Sequence, residues 1–265
     1  MRGLTRDCVV EMMTRKVKWL YAVVTLIMVG SIIIVSQVRV YEDPGSLQEL
    51  GSRTFDQFRG EALIRVYDWF MYFLVILTAL ITAGKFPNMM IPGRAEFYLS
   101  KPLSRTSLYL NRLLGIFITY GGMILACGLV GYLALYAVSS YWSDGIFYML
   151  VLHLVGLFIW LSIVTFGGIV FGSTTAAILT AVLIWFAQLA LRARDWVSGL
   201  IDSTAVSTTL DVFYYIVPKT GELSALTTRV ALLEPVRNWL PLWSSVLFAL
   251  VLIVATTVIF NRKNY

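Results

Sequence analysis

Side chains able to do chemistry are scarce in this 265-residue sequence and lie far apart. His153 is the only histidine, and Asp144, nine residues earlier, is the acidic residue nearest to it in the sequence. A metal centre needs several His, Cys, Asp or Glu ligands, so His153 alone predicts none. A hydrogen bond to a neighbouring helix is the simpler role for this side chain.

The two cysteines, Cys8 and Cys127, also fail to indicate a site. One precedes the first apolar run and the other lies inside an apolar run, so they predict no disulfide. The phosphate-binding motif G-x-x-x-x-G-K-[ST] does not occur, so this chain is not expected to bind nucleotide itself. The motifs H-E-x-x-H, G-x-S-x-G and C-x-x-C do not occur either.

The elements that would position these residues are apolar runs. Apolar residues make up 58% of the chain and charged residues 14%, against about 45–50% and about 25% in soluble domains. A run of about 20 apolar residues can cross the membrane as a helix. We predict an all-α integral membrane protein, a single transmembrane domain over residues 1–265, with six spans. The predicted spans are about 19–37, 69–84, 113–138, 146–171, 174–191 and 240–260.

None of these six predicted spans contains Asp, Glu, Lys or Arg. Charged residues inside a membrane usually mark proton or ion pathways. A carrier driven by protons or sodium ions is expected to place a carboxylate near the midplane. The sequence therefore argues against a self-powered carrier and predicts an external energy source.

Charge also predicts the orientation, because cytoplasmic segments are enriched in Lys and Arg. The two terminal segments and the loop between spans 2 and 3 share one side and hold twelve basic and three acidic residues. The other side holds nine basic and twelve acidic residues. We predict that both termini are cytoplasmic. Because topology explains the net charge of +6, the charge does not predict nucleic-acid binding.

Three segments outside the spans are predicted to contain amphipathic helices at the membrane surface. Residues 1–18 combine basic residues with one apolar side, and residues 39–65 carry apolar residues among charges. After Pro218, apolar residues recur at helical spacing up to Leu233, which predicts a helix on the outer leaflet. In span 4, Gly168 and Gly172 form a G-x-x-x-G pair, predicted to pack against a helix of the same subunit or of a second one.

The loop from Lys85 to Arg112 is the most basic connection between two spans. After Gly93, residues 94–100 can form two helical turns, and Pro102 ends them because proline disfavours helix at the residue before it. A second helix is predicted to start near Ser104 and to continue into span 3. The short helix could occupy a groove of another protein. Alternatively, the loop simply contacts anionic lipid.

Within this loop, Leu99-Ser100-Lys101-Pro102-Leu103-Ser104-Arg105 resembles a signature of ABC-2 type transporter permeases. In that family the signature lies in the cytoplasmic loop between spans 2 and 3, where the permease contacts its ATPase. The stretch Tyr214-Tyr215-Ile216-Val217-Pro218 is similar to an aromatic, apolar, proline passage before the last span of these permeases. The C-terminal residues 260–265, an aromatic followed by a basic pair, are similar to the family's usual ending.

This resemblance implies a permease subunit without enzymatic activity, in a prokaryotic plasma (inner) membrane, that takes part in export. It implies a cytosolic ABC ATPase in two copies, which would bind ATP and Mg²⁺, and a second permease subunit, identical or related. Membrane lipid is the other expected partner. The residues implied to form the ATPase-coupling loop are Arg94, Glu96, Phe97, Leu99, Lys101, Pro102, Leu103 and Arg105.

Two other classes of function stay open from the residues alone. A non-transporting membrane scaffold or sensor subunit would not need an ATPase, and its loop would tolerate substitution. A membrane enzyme acting on lipid would need His, Asp or Glu residues that converge at one interface. His153 and Asp144 are too little to predict such a site.

Overall fold

A computed structural model describes residues 15–37, 55–90, 104–139, 143–192 and 204–263 of the chain. Every regular element within these ranges is helical. A short 3-10 helix, Pro87–Met89, follows the second α-helix. The α-helices are α1 (Arg15–Gln37), α2 (Phe55–Thr82), α3 (Arg105–Ser139), α4 (Gly145–Phe171), α5 (Thr174–Arg192), α6 (Thr204–Ile216), α7 (Thr220–Ala231) and α8 (Leu240–Arg262).

Six of these helices, α1 to α5 and α8, are long and apolar enough to cross a membrane. The predicted all-α architecture is therefore confirmed, with six helices that are long and apolar enough to be the six predicted spans. Large apolar side chains on the outer helices are exposed, among them Leu26, Leu183 and Trp243 at 68–71%. Soluble monomers rarely expose large contiguous apolar patches, so this surface suits a multi-pass membrane protein.

Two helices start well before the predicted spans. Helix α2 begins at Phe55, fourteen residues before the predicted start of span 2, because Leu63, Ile64 and Tyr67 continue its buried face among polar residues. Helix α3 begins at Arg105, as predicted for a helix starting near Ser104. The Ser104 hydroxyl accepts a hydrogen bond of 3.1 Å from the Ser107 amide, as N-cap residues do.

Helix α4 is the centre of the bundle and contacts α2, α3, α5, α7 and α8. It is apolar on all sides, and 18 of its 27 residues are buried. A helix that is hydrophobic all round is expected to be enclosed by other helices. Most side chains on α4 are therefore enclosed by other helices.

The ends of α2, α4 and α8 lie together with the starts of α3 and α5. Gly84 lies against Thr174, and Gly168 lies against Pro87. Helix α1 runs parallel to α3, since Tyr21 pairs with Tyr120 and Met28 contacts Gly131 further along. We call this end of the bundle the basic end, defined by Lys85, Arg105, Arg112, Arg262 and Lys263.

Helix α7 closes the opposite end. The helix predicted after Pro218 is present, but its apolar face is turned into the bundle. Leu223 and Leu226 are buried, and α7 contacts α4, α2 and α8. The helix therefore differs from one that lies flat on the outer leaflet. The predicted N-terminal surface helix mostly falls outside the described residues.

Candidate functional site

Of the eight predicted coupling residues, Arg105 is the one within the described ranges. Arg94, Glu96, Phe97, Leu99, Lys101, Pro102 and Leu103 lie outside the described residues. The structure describes how the two flanks of this loop, residues 83–90 and 104–112, are held.

The two flanks are bound to each other at the basic end. Arg112 of α3 is buried and donates from Nη2 to the Lys85 carbonyl oxygen at 3.2 Å. The rings of Phe86 and Tyr109 lie 5.4 Å apart, and both side chains are buried. The two described flanks of the connection 91–103 therefore form one packed base.

Arg105 joins this base to the end of the last helix. It donates from Nη1 to the carbonyl oxygen of Lys263 at 2.5 Å and to that of Asn261 at 3.4 Å. The Asn261 amide donates to the Thr106 hydroxyl at 2.8 Å, and the Lys263 ammonium donates to the Val170 carbonyl oxygen at 3.0 Å. The start of α3 and the ends of α4 and α8 are thus one hydrogen-bonded unit.

The charge at this end has one sign among the described residues. The segments 15–18, 83–90, 104–112 and 259–263 hold basic residues, and neither these segments nor 168–176 hold Asp or Glu. Such a surface attracts an acidic protein surface or anionic lipid.

Of the predicted glycine pair, Gly168 packs closely against its neighbours, whereas a Cβ added to Gly172 would have no atom within 4 Å. A Cβ added to Gly168 would lie 3.2 Å from Pro87 Cδ and 3.5 Å from Ala177 Cβ. Gly168 thus allows α4 to approach the base of the loop and α5 of the same chain. Gly172 adopts a left-handed conformation with φ +66° and ends α4, its amide donating to the Gly168 carbonyl oxygen.

The site that the sequence did not predict is a buried polar cluster formed by Asp68, His153, Thr227 and Thr228. Asp68 is 4% exposed and His153 is 3% exposed. Asp68 lies inside the helix 60–89, which is long and apolar enough to cross a membrane, and directly before the predicted start of span 2 at Trp69.

Two other helices supply the contacts of the Asp68 carboxylate, which α2 carries. Thr227 Oγ1 donates to Oδ1 at 2.6 Å, and Thr228 Oγ1 donates to Oδ2 at 2.7 Å, both from α7. From α4, His153 Nε2 lies 3.4 Å from Oδ1. The other ring nitrogen, Nδ1, is 2.9 Å from the Met149 carbonyl oxygen. The hydrogen bond of the His153 ring therefore stays within α4, and Nε2 has no hydrogen-bond partner among the described residues. The predicted hydrogen bond to a neighbouring helix is not made, although the Asp68 carboxylate of α2 lies close by.

The space beside this cluster is small. A cavity lined by His153, Tyr72, Trp160 and Thr227, among others, has a free volume of about 10 Å³. That volume holds at most one water molecule. His153 and Asp68 therefore converge as a lipid enzyme would require, but this conformation offers no space for a lipid substrate. Within the described residues, no group of three or more His, Cys, Asp or Glu residues is placed to hold a metal.

Lys219 forms a second buried polar contact at this end, near the start of α7. Its ammonium donates to the Ser244 hydroxyl at 3.2 Å and lies 4.4 Å from the centre of the Tyr214 ring. The Tyr214 hydroxyl in turn donates to the Glu222 carboxylate at 2.9 Å. These contacts hold α6, α7 and α8 together.

Comparison with known proteins adds no identification. No protein-family model matches the chain, and no curated protein has a matching sequence.

Proposed function

We propose that this chain is the membrane permease subunit of an ABC-2 type ATP-binding-cassette transporter. In this proposal, ATP hydrolysis by a separate cytosolic subunit moves a substrate across the membrane, by export. The observation that carries it is the clamped base formed by the two flanks of the loop 91–103, a loop that contains most of the family-like segment 99–105. The resemblance of that segment supplies the identity of the partner.

The clamp offers a physical route for coupling. A force applied to residues 94–105 reaches Arg105, which is bonded to the end of α8, and Arg112, which is bonded to the end of α2. Lys263 extends the connection to the end of α4, the central helix. A push at the basic end therefore acts on several spans at once.

The remaining parts of the proposal follow from charge and from the resemblance. The basic end faces the cytoplasm of a prokaryote, according to the enrichment of Lys and Arg on that side. Two ATPase copies bind there, and they bind ATP and Mg²⁺. A second permease subunit, identical or related, completes the complex in the inner membrane.

The test is purification of the chain from its native membrane in mild detergent, followed by mass spectrometry. We expect an ATPase with a Walker motif to copurify. We expect Glu96→Gln and Arg105→Gln to leave the chain inserted but to weaken its coupling to the ATPase. Arg237→Gln is the matched control, because Arg237 is an exposed basic residue in the segment between α7 and α8.

Asp68 favours a second candidate, a carrier driven by a proton gradient, because a buried carboxylate inside a span is the feature that such carriers need. The same preparation distinguishes the two candidate functions. A chain that purifies without any ATPase and transports in vesicles under a pH gradient would replace the ABC proposal with this carrier. Retention of the ATPase and transport that requires ATP would exclude the carrier.

A further inference from the structure

We propose that Asp68 and His153 form a binding site for a single shared proton, and that this proton fastens α7 to the bundle. The inference concerns the polar cluster alone and does not depend on the proposed ATPase partner. It assigns a ligand, the proton, to a buried site where α2, α4 and α7 meet.

The tautomer of His153 is determined by its backbone contact. Nδ1 lies 2.9 Å from the Met149 carbonyl oxygen, and a carbonyl oxygen can only accept a hydrogen bond. Nδ1 therefore carries a proton. In a neutral imidazole the other nitrogen, Nε2, is then an acceptor with a lone pair.

This lone pair lies close to a second acceptor. Nε2 is 3.4 Å from Asp68 Oδ1 and has no hydrogen-bond partner, and an ionised carboxylate has no proton to donate. Two acceptors this close together in a buried site repel each other. One additional proton removes the repulsion, whether it resides on Nε2 or on Oδ1, and in both arrangements the pair is neutral overall.

The shared proton affects α7 through two threonines. Thr228 donates to Oδ2, and its distance to the Ser224 carbonyl oxygen is longer, at 3.4 Å. Thr227 lies 2.6 Å from both Oδ1 and the Ser224 carbonyl oxygen, and its hydroxyl has one proton for these two acceptors. The charge on Asp68 therefore decides whether Thr227 bonds across to α2 or back to its own helix.

The described groups around the pair do not supply a competing charge. Tyr72 on α2 lines the same cavity as His153, and Tyr67, next to Asp68 in the chain, interacts with Cys127 and Tyr132 on α3. Tyr67 donates to the Gly128 carbonyl oxygen. The charged residues closest in the chain on α2 and α7, Arg65 and Arg229, are exposed. On α7, the Glu222 carboxylate accepts a hydrogen bond from the Tyr214 hydroxyl.

The number of protons on the pair predicts looser attachment of α7 at both extremes of the pH range. In acid, the pair gains a second proton and becomes a buried cation. In alkali, it loses the shared proton and leaves a buried carboxylate opposite a lone pair. Both states are costly in a dry interior, so α7 should be held most tightly at intermediate pH and less tightly on either side.

Two variants separate the shared proton from simple packing. In Asp68→Asn the amide nitrogen can donate to Nε2 and the amide oxygen can accept from a threonine, so the link is kept without a removable proton. We expect α7 to stay attached and the alkaline loosening to disappear. Asp68→Leu has a similar size and no polar atoms, and we expect α7 to be loosened at every pH.

The measurement is the mobility of a spin label on α7, by electron paramagnetic resonance, across the pH range. The label is attached at Ala225→Cys, an exposed position, in a Cys8→Ser, Cys127→Ser background, with the protein in lipid nanodiscs. The matched control is a label at Leu183→Cys on α5, which is 68% exposed. We expect increased mobility at both pH limits for Ala225→Cys and no change for Leu183→Cys.

Three results would overturn the proposal. One is mobility that does not change with pH, as expected if a bound water rather than a proton links the pair. Another is equal loosening by Asp68→Asn and Asp68→Leu. The third is persistence of the alkaline loosening in Asp68→Asn. If Asp68→Leu does not fold, the wild-type profile and Asp68→Asn still decide the outcome.

Discussion

At the scale of single residues, α1, α2 and α3 meet most closely at Gly131. A Cβ placed on this glycine would collide with Met28 Cε and would lie 2.8 Å from Tyr67 Cε2. Both neighbours are fully buried, and the Tyr67 hydroxyl is bonded to Gly128, so the ring cannot easily move away. Glycine is therefore required here by the close approach of the helices.

We predict that Gly131→Ala destabilises the protein by about 1–3 kcal/mol, the usual cost of overpacking a core. The measurement is the thermal unfolding midpoint in detergent. Gly122→Ala is the control on the same helix, because nothing lies within 4 Å of its added Cβ. Equal midpoints for Gly131→Ala and the wild type would show that this contact between the three helices is loose.

The polar cluster shows what single residues in a sequence do not reveal. Asp68 and His153 are 85 residues apart, and each was interpreted from its neighbours in the chain. Their contact depends on which faces of α2 and α4 meet, which is a property of tertiary packing. The one sequence signal was an acidic residue directly before an apolar run.

At the scale of elements, α7 is attached at both of its ends and near its middle. Near its start, the Lys219 amide donates to the Ser245 hydroxyl at 2.8 Å, and Thr220 donates to Gln188 of α5 at 2.6 Å. At its end, Ser143 donates to the Ala231 carbonyl oxygen at 3.0 Å, beside the start of α4. Between these two ends, Thr227 and Thr228 of α7 donate to the Asp68 carboxylate.

We predict that Gly145→Ala displaces the end of α7 from α4. The added Cβ would collide with the Val230 carbonyl oxygen and lie 2.8 Å from that of Ala231, and backbone atoms cannot rotate away. A loss of about 3 kcal/mol is expected from this overpacking. Hydrogen exchange of the α7 amides is the readout, and it should increase.

Gly156→Ala is the matched control on α4, where the nearest atom, Val75 Cγ1, would be 3.9 Å away. Exchange in α7 should be unchanged in this variant. If Gly145→Ala also leaves the exchange unchanged, the end of α7 does not depend on its contact with α4.

Composition was sufficient to predict most of the elements. Spans 4, 5 and 6 match α4, α5 and α8 to within two residues, because apolar runs of membrane length admit few other structures. The amphipathic pattern after Pro218 predicted α7 but not its partner. An apolar face packs equally well on lipid or on protein, and the choice depends on the rest of the fold.

At the scale of the whole molecule, the two ends of the bundle differ in character. The basic end holds a hydrogen-bonded clamp between the two flanks of the loop 91–103, and the opposite end is closed by α7 over the proposed proton site. Helix α4 connects them, because its start contacts α7 and its end accepts the Lys263 ammonium. The ATPase proposed at one end and a rearrangement at the other would therefore act on one shared helix.

The most direct test of this account is photo-crosslinking in native membranes from a probe placed at Phe97. The account predicts a covalent adduct to a Walker-motif ATPase, and no such adduct from a control probe at the exposed residue Val212 on α6. Crosslinks to lipid alone from Phe97, in membranes where the chain is intact, would contradict the proposed coupling role of the loop.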